Sequence, residues 1–233
     1  FSLFKNITIL VFVLFCGLAN GASVDDLIMS FQASEGEYVV ASCDESAEGS
    51  LTIPAEYNGY PVTRIANQAF YNCSELTEII LPNSIVQIVG TYAFYGCDSL
   101  ETFIMPTDSP ITVITDNAFR NCAALTNVTL GDNIQSIGSY AFYQCSSLEN
   151  INIPENIDSI QIESFQFCTS LTSVNIPNSI HTIWDRAFRG CTSLTDVIFE
   201  QNNPNAVIIR SNAFASCSSL NNVILPDIMY YKI

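Results

Sequence analysis

Basic residues are scarce in this chain. Seven lysines and arginines stand against 23 aspartates and glutamates, a formal net charge of −16. Such a field repels nucleic acid and anionic membrane surfaces, so neither is expected as a primary ligand. Charged residues of both signs make up only 13%, against about 25% in an ordinary domain, so the polar surface must come from Ser, Thr, Asn and Gln. Histidine is scarcer still, His181 being the only one. A catalytic triad or a histidine zinc site would have to be built around it. It lies between Ile180 and Thr182, out of phase with the buried aliphatics, and is read as a surface residue. Close cysteine pairs are also missing. No two of the nine cysteines are nearer than 23 residues, which removes the CxxC spacing of metal and redox sites. Glycine-rich phosphate loops, nucleophile elbows and calcium loops of the DxDxDG type are absent. Acidic pairs such as Glu149 and Glu155 are read as solvated surface rather than as a general acid and base. The expectation is a protein that is not an enzyme and needs no cofactor or metal.

Long apolar runs are confined to the N-terminus. Residues 1–22 carry one positive charge at Lys5, an apolar run from Ile7 to Phe15 and then small residues, the layout of a secretory signal peptide with cleavage after Gly21 or Ala22. The run is short for a membrane span, which needs about 20 apolar residues. The mature chain is therefore expected to be secreted or displayed on the cell surface, with no span of its own. Residues 23–65 are read as an acidic leader and N-terminal cap. Asp25, Asp26, Glu35, Glu37, Asp44, Glu45 and Glu48 suggest a solvated leader, Tyr38–Ala41 a short strand, and Asn58, Gly59 and Pro61 a turn.

What is abundant is self-similarity, over residues 66–226. Phe70, Phe94, Phe119, Phe142, Phe165, Phe188 and Phe214 recur at spacings of 24, 25, 23, 23, 23 and 26. Three residues after each comes Cys73, Cys97, Cys122, Cys145, Cys168, Cys191 or Cys217, and three further on Leu76, Leu100, Leu125, Leu148, Leu171, Leu194 or Leu220. Five residues before each comes an aliphatic: Ile65, Val89, Ile114, Ile137, Ile160, Ile183 or Ile209. Phe, Cys and Leu at i, i+3 and i+6 predict a short helical or 3₁₀ turn. The rhythm then changes to period two, as in Ile151 and Ile153, which predicts a strand with one buried face, stopped by a proline such as Pro154. A unit of this length cannot bury its apolar side alone but can when stacked. The predicted fold is a repeat solenoid of about seven full repeats of 23–26 residues plus a cap rung, with eight parallel strands counted from Leu51–Pro54 to Val223–Leu225. Residues 227–233 are a tail or a truncated repeat.

Leu148, Ile151, Ile153 and Asn156, like Leu125, Val128, Leu130 and Asn133, resemble the leucine-rich repeat pattern LxxLxLxxN. The AFxxC motif ahead of the leucine, the proline and the 23-residue period are similar to the BspA-like leucine-rich repeat family, of surface antigen type. The resemblance implies extracellular or surface adhesion and recognition. Two departures stand out: Ser84, Asp108 and Ser179 replace the ninth-position asparagine, and Trp184 and Arg210 replace the small residue found at Ala66, Gly90, Thr115 and Gly138.

The cysteine column is read as small hydrophobes in a tight column, with cross-rung disulfides as the alternative and metal ligation a more distant one. Asn72 and Asn127 head sequons for glycosylation, Asn127 on the outward phase of its strand. Tyr71, Tyr92, Tyr95, Arg120, Tyr140, Tyr143 and Arg189 occupy recurring outward positions next to the phenylalanines. Tyrosine and arginine are enriched at protein interfaces, so this edge is the expected protein-binding face; tyrosine that merely covers the coil edge is the alternative. The expected function is a protein-binding and adhesion module. The competing reading is a structural segment that self-associates through its C-terminal rung.

Overall fold

A computed structural model describes residues 21–88, 90–201 and 207–225. All but the last two residues of the expected signal segment, Val89, Pro226 and the tail 227–233 lie outside the described residues.

The acidic stretch is ordered rather than a loose leader. Ser23 caps a 3₁₀ turn, Val24–Asp26, whose Asp26 carboxylate accepts from the Ser23 amide at 2.7 Å. Strand β1 (Leu27–Gln32) then pairs antiparallel with β2 (Glu37–Cys43). β1 was hidden from pattern reading because a register shift between Ile28 and Met29 breaks its alternation. After β3 (Gly49–Thr52), the two-residue strand β4 (Glu56–Tyr57) turns through Asn58 and Gly59, both at positive φ, into β5 (Tyr60–Ile65). Positive φ at both central residues is what a tight two-residue hairpin demands. β2 pairs in parallel with β5, so the hairpin lies over the end of the first coil and buries Leu27, Val40 and Cys43 against it. Arg64 ties the arrangement together by bonding both Glu35 and Glu37.

Beyond the cap, the period-two stretches form parallel strands in every coil but one. β3, Leu76–Ile80, Thr102–Ile104 and Asn127–Thr129 make a four-stranded sheet. Ser173–Ile176, Asp196–Phe199 and Asn222–Ile224 make a three-stranded one in the same repeat position. Ile151–Ile153, counted as a strand from its pattern, is not one, although both isoleucines are buried. Its outward residues are Asn150 and Asn152. This coil alone carries asparagine at both outward positions, and asparagine is depleted in strands because its side chain competes with the ladder.

The structure adds a second strand per coil, two residues long and too short to leave a periodic signal. Val113–Ile114 pairs in parallel with Ser136–Ile137, and Ser159–Ile160 with Thr182–Ile183 and then Ile208–Ile209. In the second coil the column position assigned to Val89 is filled by Ile88, which pairs with Ile65 and is buried. The coil of longer spacing has taken up its extra residue there.

Between the two strands the chain closes each coil by successive four-residue turns. In the coil around Phe142, Ala141 N donates to Gly138 O, Tyr143 N to Tyr140 O and Cys145 N to Phe142 O at 3.1–3.3 Å. These are 3₁₀-type bonds, but Tyr140 and Gln144 stand at φ +59° and +60° and break the run into separate turns. Among the described residues, 3₁₀ helix proper occurs only at Val24–Asp26. The remaining amides bond to the next coil: Tyr140 N to Ile162 O, Phe142 N to Ser164 O and Gln144 N to Gln166 O, at 2.8–3.0 Å.

The core is columnar. Phe119, Phe142, Phe165 and Phe188 are fully buried and stack nearly parallel, centroids 5.2–5.4 Å apart, close to the ~4.8 Å spacing of paired strands. Burial of each ring is worth about 2–3 kcal/mol. The eight cysteines of the described chain are free, and seven are buried. From Cys97 on, each thiol donates to the phenylalanine carbonyl of the preceding coil, Cys145 Sγ to Phe119 O at 3.1 Å and Cys168 Sγ to Phe142 O at 3.2 Å. The residue chosen as a small hydrophobe thus also serves as a donor, filling the second lone pair of a buried carbonyl. The asparagine ladder is interrupted. Asn133 and Asn156 donate to the preceding coil at 2.9 and 2.8 Å, whereas the hydroxyls of Ser84 and Ser179 are buried without a partner.

Candidate partner-binding edge

Each turn brings two left-handed residues to one edge of the solenoid, two before and two after the phenylalanine. Going up the coils these are Gln68 and Asn72, Tyr92 and Gly96, Asn117 and Asn121, Tyr140 and Gln144, Glu163 and Phe167, Arg186 and Gly190, Asn212 and Ser216, all at φ between 54° and 75°. The third residue of a turn with positive φ suits glycine or asparagine. A tyrosine, glutamate, phenylalanine or arginine there costs about 1–2 kcal/mol, and the bonds to neighbouring coils hold it in place.

This geometry gathers most of the tyrosines and arginines singled out in the sequence. Tyr71 and Tyr95 stack with centroids 4.9 Å apart, and Tyr92 meets Tyr95 at 5.5 Å. The Arg120 guanidinium lies over the Tyr143 ring at 4.7 Å and the Tyr140 ring at 5.3 Å, while its Nη1 donates to Asn117 Oδ1 at 3.1 Å. Tyr71 and Arg189 are exposed and the others half-buried, and the Tyr95 hydroxyl accepts from Asn121 Nδ2 at 3.1 Å. Arg189 lies two coils beyond Tyr143 in the same column, with buried Gln166 between them. Beside this edge runs a groove of about 510 Å³, lined by Asp98, Asn121, Gln144, Ser146, Phe167 and Thr169.

Several edge residues escaped pattern reading. Arg186 and Glu163 form an ion pair at 2.6 Å, with Glu163 nearly buried; both occupy the column of Tyr92 and Tyr140, which was the available signal. Phe167 packs against Tyr143 at 5.7 Å. Arg210 lies over the Trp184 ring at 5.1 Å. These two were visible only as departures from a small-residue column. In that column a Cβ at Gly138 would stand 2.6 Å from the Asp116 amide nitrogen, so the coils there close on one another.

Of the two sequons, Asn127 lies apart from this edge and Asn72 lies on it. Asn127 is exposed on its strand, its Nδ2 donating to Thr126 Oγ1 at 3.1 Å. Asn72 is exposed at φ +58° with its carboxamide over Gly96, whose missing Cβ would fall 2.4 Å from Asn72 Oδ1. His181 is exposed. Among the described residues no group of three or more His, Cys, Asp or Glu is placed to hold a metal, and no helix is long and apolar enough to cross a membrane.

A family model for the BspA type leucine rich repeat region matches in six copies over residues 49–112 and 112–231. The chain belongs to the BspA-type leucine-rich repeat family. Leucine-rich repeats of the BspA type are protein-interaction repeats, and the family and fold are typically non-enzymatic. A search of curated proteins returned no match. Among solved structures, this BspA-type chain is similar to a leucine-rich repeat protein of T. pallidum, at 24% identity and TM-score 0.76 over 87% of this chain and 91% of that one. It is also similar to a leucine-rich repeat protein from Bacteroides ovatus, at 23% identity and TM-score 0.54 over 85% and 69%. The pneumococcal vaccine antigen PcpA is similar at 23% identity and TM-score 0.51 over 77% and 51%. At these identities the likeness is one of fold.

Proposed function

We propose that the chain is a secreted or cell-surface protein-binding and adhesion module whose contact face is the turn edge around Tyr71, Tyr92, Tyr95, Arg120, Tyr140, Tyr143 and Arg189. The observation that carries this reading is the set of large side chains held at left-handed positions, Tyr92, Tyr140, Phe167 and Arg186 among them. Glycine or asparagine would be cheaper at each, and strain retained along one surface is characteristic of a surface in use. The apolar run and small residues of 1–22 support export, and the rigid coil-by-coil spacing supports recognition through many modest contacts.

The test is saturable capture of the protein by intact cells or extracellular matrix, comparing the parent with Tyr92→Asn and Tyr140→Asn. Asparagine tolerates the left-handed backbone, so unfolding free energy should stay within about 1 kcal/mol. Loss of an interface tyrosine should weaken binding by about 5- to 30-fold. Absence of saturable binding, or variants that bind like the parent, would count against the proposal.

A second reading, self-association through the C-terminal rung, is favoured by the exposure there of Ile208 (50%), Ile209 (46%), Val223 (47%) and Ile224 (41%). A molar mass by light scattering that rises with concentration supports it, and a constant monomer mass rejects it.

A further inference from the structure

Charge is segregated on this molecule. Although the chain is strongly acidic, four of the five described basic residues, Arg120, Arg186, Arg189 and Arg210, lie on the turn edge. The fifth, Arg64, is taken up by Glu35 and Glu37 in the cap. Three of the four edge arginines fall in two adjacent coils. Arg186 and Arg189 flank Phe188 on a single turn, Arg189 N donating to Arg186 O at 3.1 Å, and the Arg186 amide donates to Ser211 O of the coil that carries Arg210.

The chemistry of these coils is not that of the repeat skeleton. Trp184, the only tryptophan, and Arg210 occupy the column that holds Ala66, Gly90, Thr115 and Gly138 in the first four coils and Gln161 in the fifth, and they stack on one another. Arg186 is held at φ +56°. Arg186 is partnered by Glu163, whereas Arg189 and Arg210 are exposed and form no ion pair among the described residues. A guanidinium held over an indole keeps its in-plane N–H fork free, and that fork fits a carboxylate bidentately.

We infer that the turn edge at Trp184, Arg186, Arg189 and Arg210 docks an acidic segment of a protein partner. The inference rests on the edge being the contact face and names the chemistry that its C-terminal third selects. Tryptophan and arginine clustered at the centre of a surface are the residues that dominate protein interfaces. Their concentration on a chain of net charge −16 gives a carboxylate-bearing segment a local source of attraction.

The single tryptophan makes the site observable, since intrinsic indole emission reports on Trp184 alone. The full protein is titrated at 150 mM salt with a synthetic (Glu-Ala)6 peptide, its uncharged (Gln-Ala)6 counterpart and an oligogalacturonate of equal charge. The expected result is a saturable change in emission with the glutamate peptide, none with the glutamine peptide, and weaker binding of the oligogalacturonate. Arg189→Gln and Arg210→Gln should each raise the dissociation constant about 5- to 10-fold while leaving the circular dichroism spectrum and melting temperature near those of the parent. No saturable response to the glutamate peptide, an unchanged affinity in both variants, or a preference for the oligogalacturonate would each overturn the inference. Should it fail while Tyr92→Asn and Tyr140→Asn still weaken capture by cells, the edge remains the contact face and only its acidic specificity falls.

Discussion

The Cys145 side chain shows how one residue serves two purposes in this fold. It is fully buried in the apolar core, and its thiol completes the hydrogen bonding of the Phe119 carbonyl. Burial pushes the thiols of Cys145 and Cys168 well above the ordinary range, which leaves them protonated and unreactive. Cys217 differs: it is half-buried, and the neighbouring Cys191 thiol holds it below the usual value. Of the eight cysteines from Cys43 onward, a thiol-selective disulfide reagent at pH 8 should label Cys217 alone in the folded protein and all eight after denaturation. Rapid labelling of several thiols in the folded state, or fewer than eight after unfolding, would contradict this arrangement. The burial of Phe, Cys and Leu was legible because the same apolar identities return at every period. The thiol as a donor was not, since nothing in a sequence says where a neighbouring carbonyl has a lone pair to spare. Val89 misled for a simpler reason: two adjacent aliphatics, Ile88 and Val89, both suit the column, and only the pairing with Ile65 chooses between them.

At the level of elements, the cap and the interrupted sheet carry different lessons. The Glu37 carboxyl is held below the usual range, first by the Thr63 hydroxyl and then by the Arg64 guanidinium. A depressed carboxyl stabilises the folded state fully above the unfolded value of about 4.3 and loses that contribution as pH falls through the lower, folded value. Amide exchange of β1 and β2, followed from pH 6 to pH 3 and corrected for intrinsic rates, should therefore show the cap loosening before the Phe142 coil. Simultaneous loss would show that the cap does not depend on this group. The break at Ile151–Ile153 leaves a cleft lined by Asn152, Pro154, Glu155, Asn156, Asn175 and Glu200. If two asparagines in a row of outward positions cause it, Asn150→Thr with Asn152→Val should join the two sheets, raise the unfolding free energy by about 0.5–1 kcal/mol and protect the Ile151 and Ile153 amides from exchange. Unchanged protection would place the cause elsewhere. Strand positions were readable from alternation, but this gap was not, because the inward isoleucines keep the apolar rhythm intact while the outward residues decide pairing. The edge tyrosines were readable by their constant offset from phenylalanine. The Trp184–Arg210 contact was visible only as two departures in one column, and the sequence does not say that the two side chains stack.

For the whole molecule, the direction of the turn bonds has a consequence for symmetry. The amides around each phenylalanine donate to the next coil, whereas others donate back, Thr172 N to Glu149 O and Arg210 N to Ile183 O among them. At the last described coil the amides of Asn212, Phe214 and Ser216 therefore have no acceptor among the described residues. Two copies meeting along this turn row about a two-fold axis would set donors against donors there and leave both rows unsatisfied. An isologous dimer through this rung is disfavoured for that reason, however apolar Ile208, Ile209, Val223 and Ile224 make it. A second copy stacked head to tail would supply that turn row with acceptors, so self-association of this kind predicts an open series of sizes in light scattering. A discrete dimer that saturates with concentration would mean that the copies meet through some other surface.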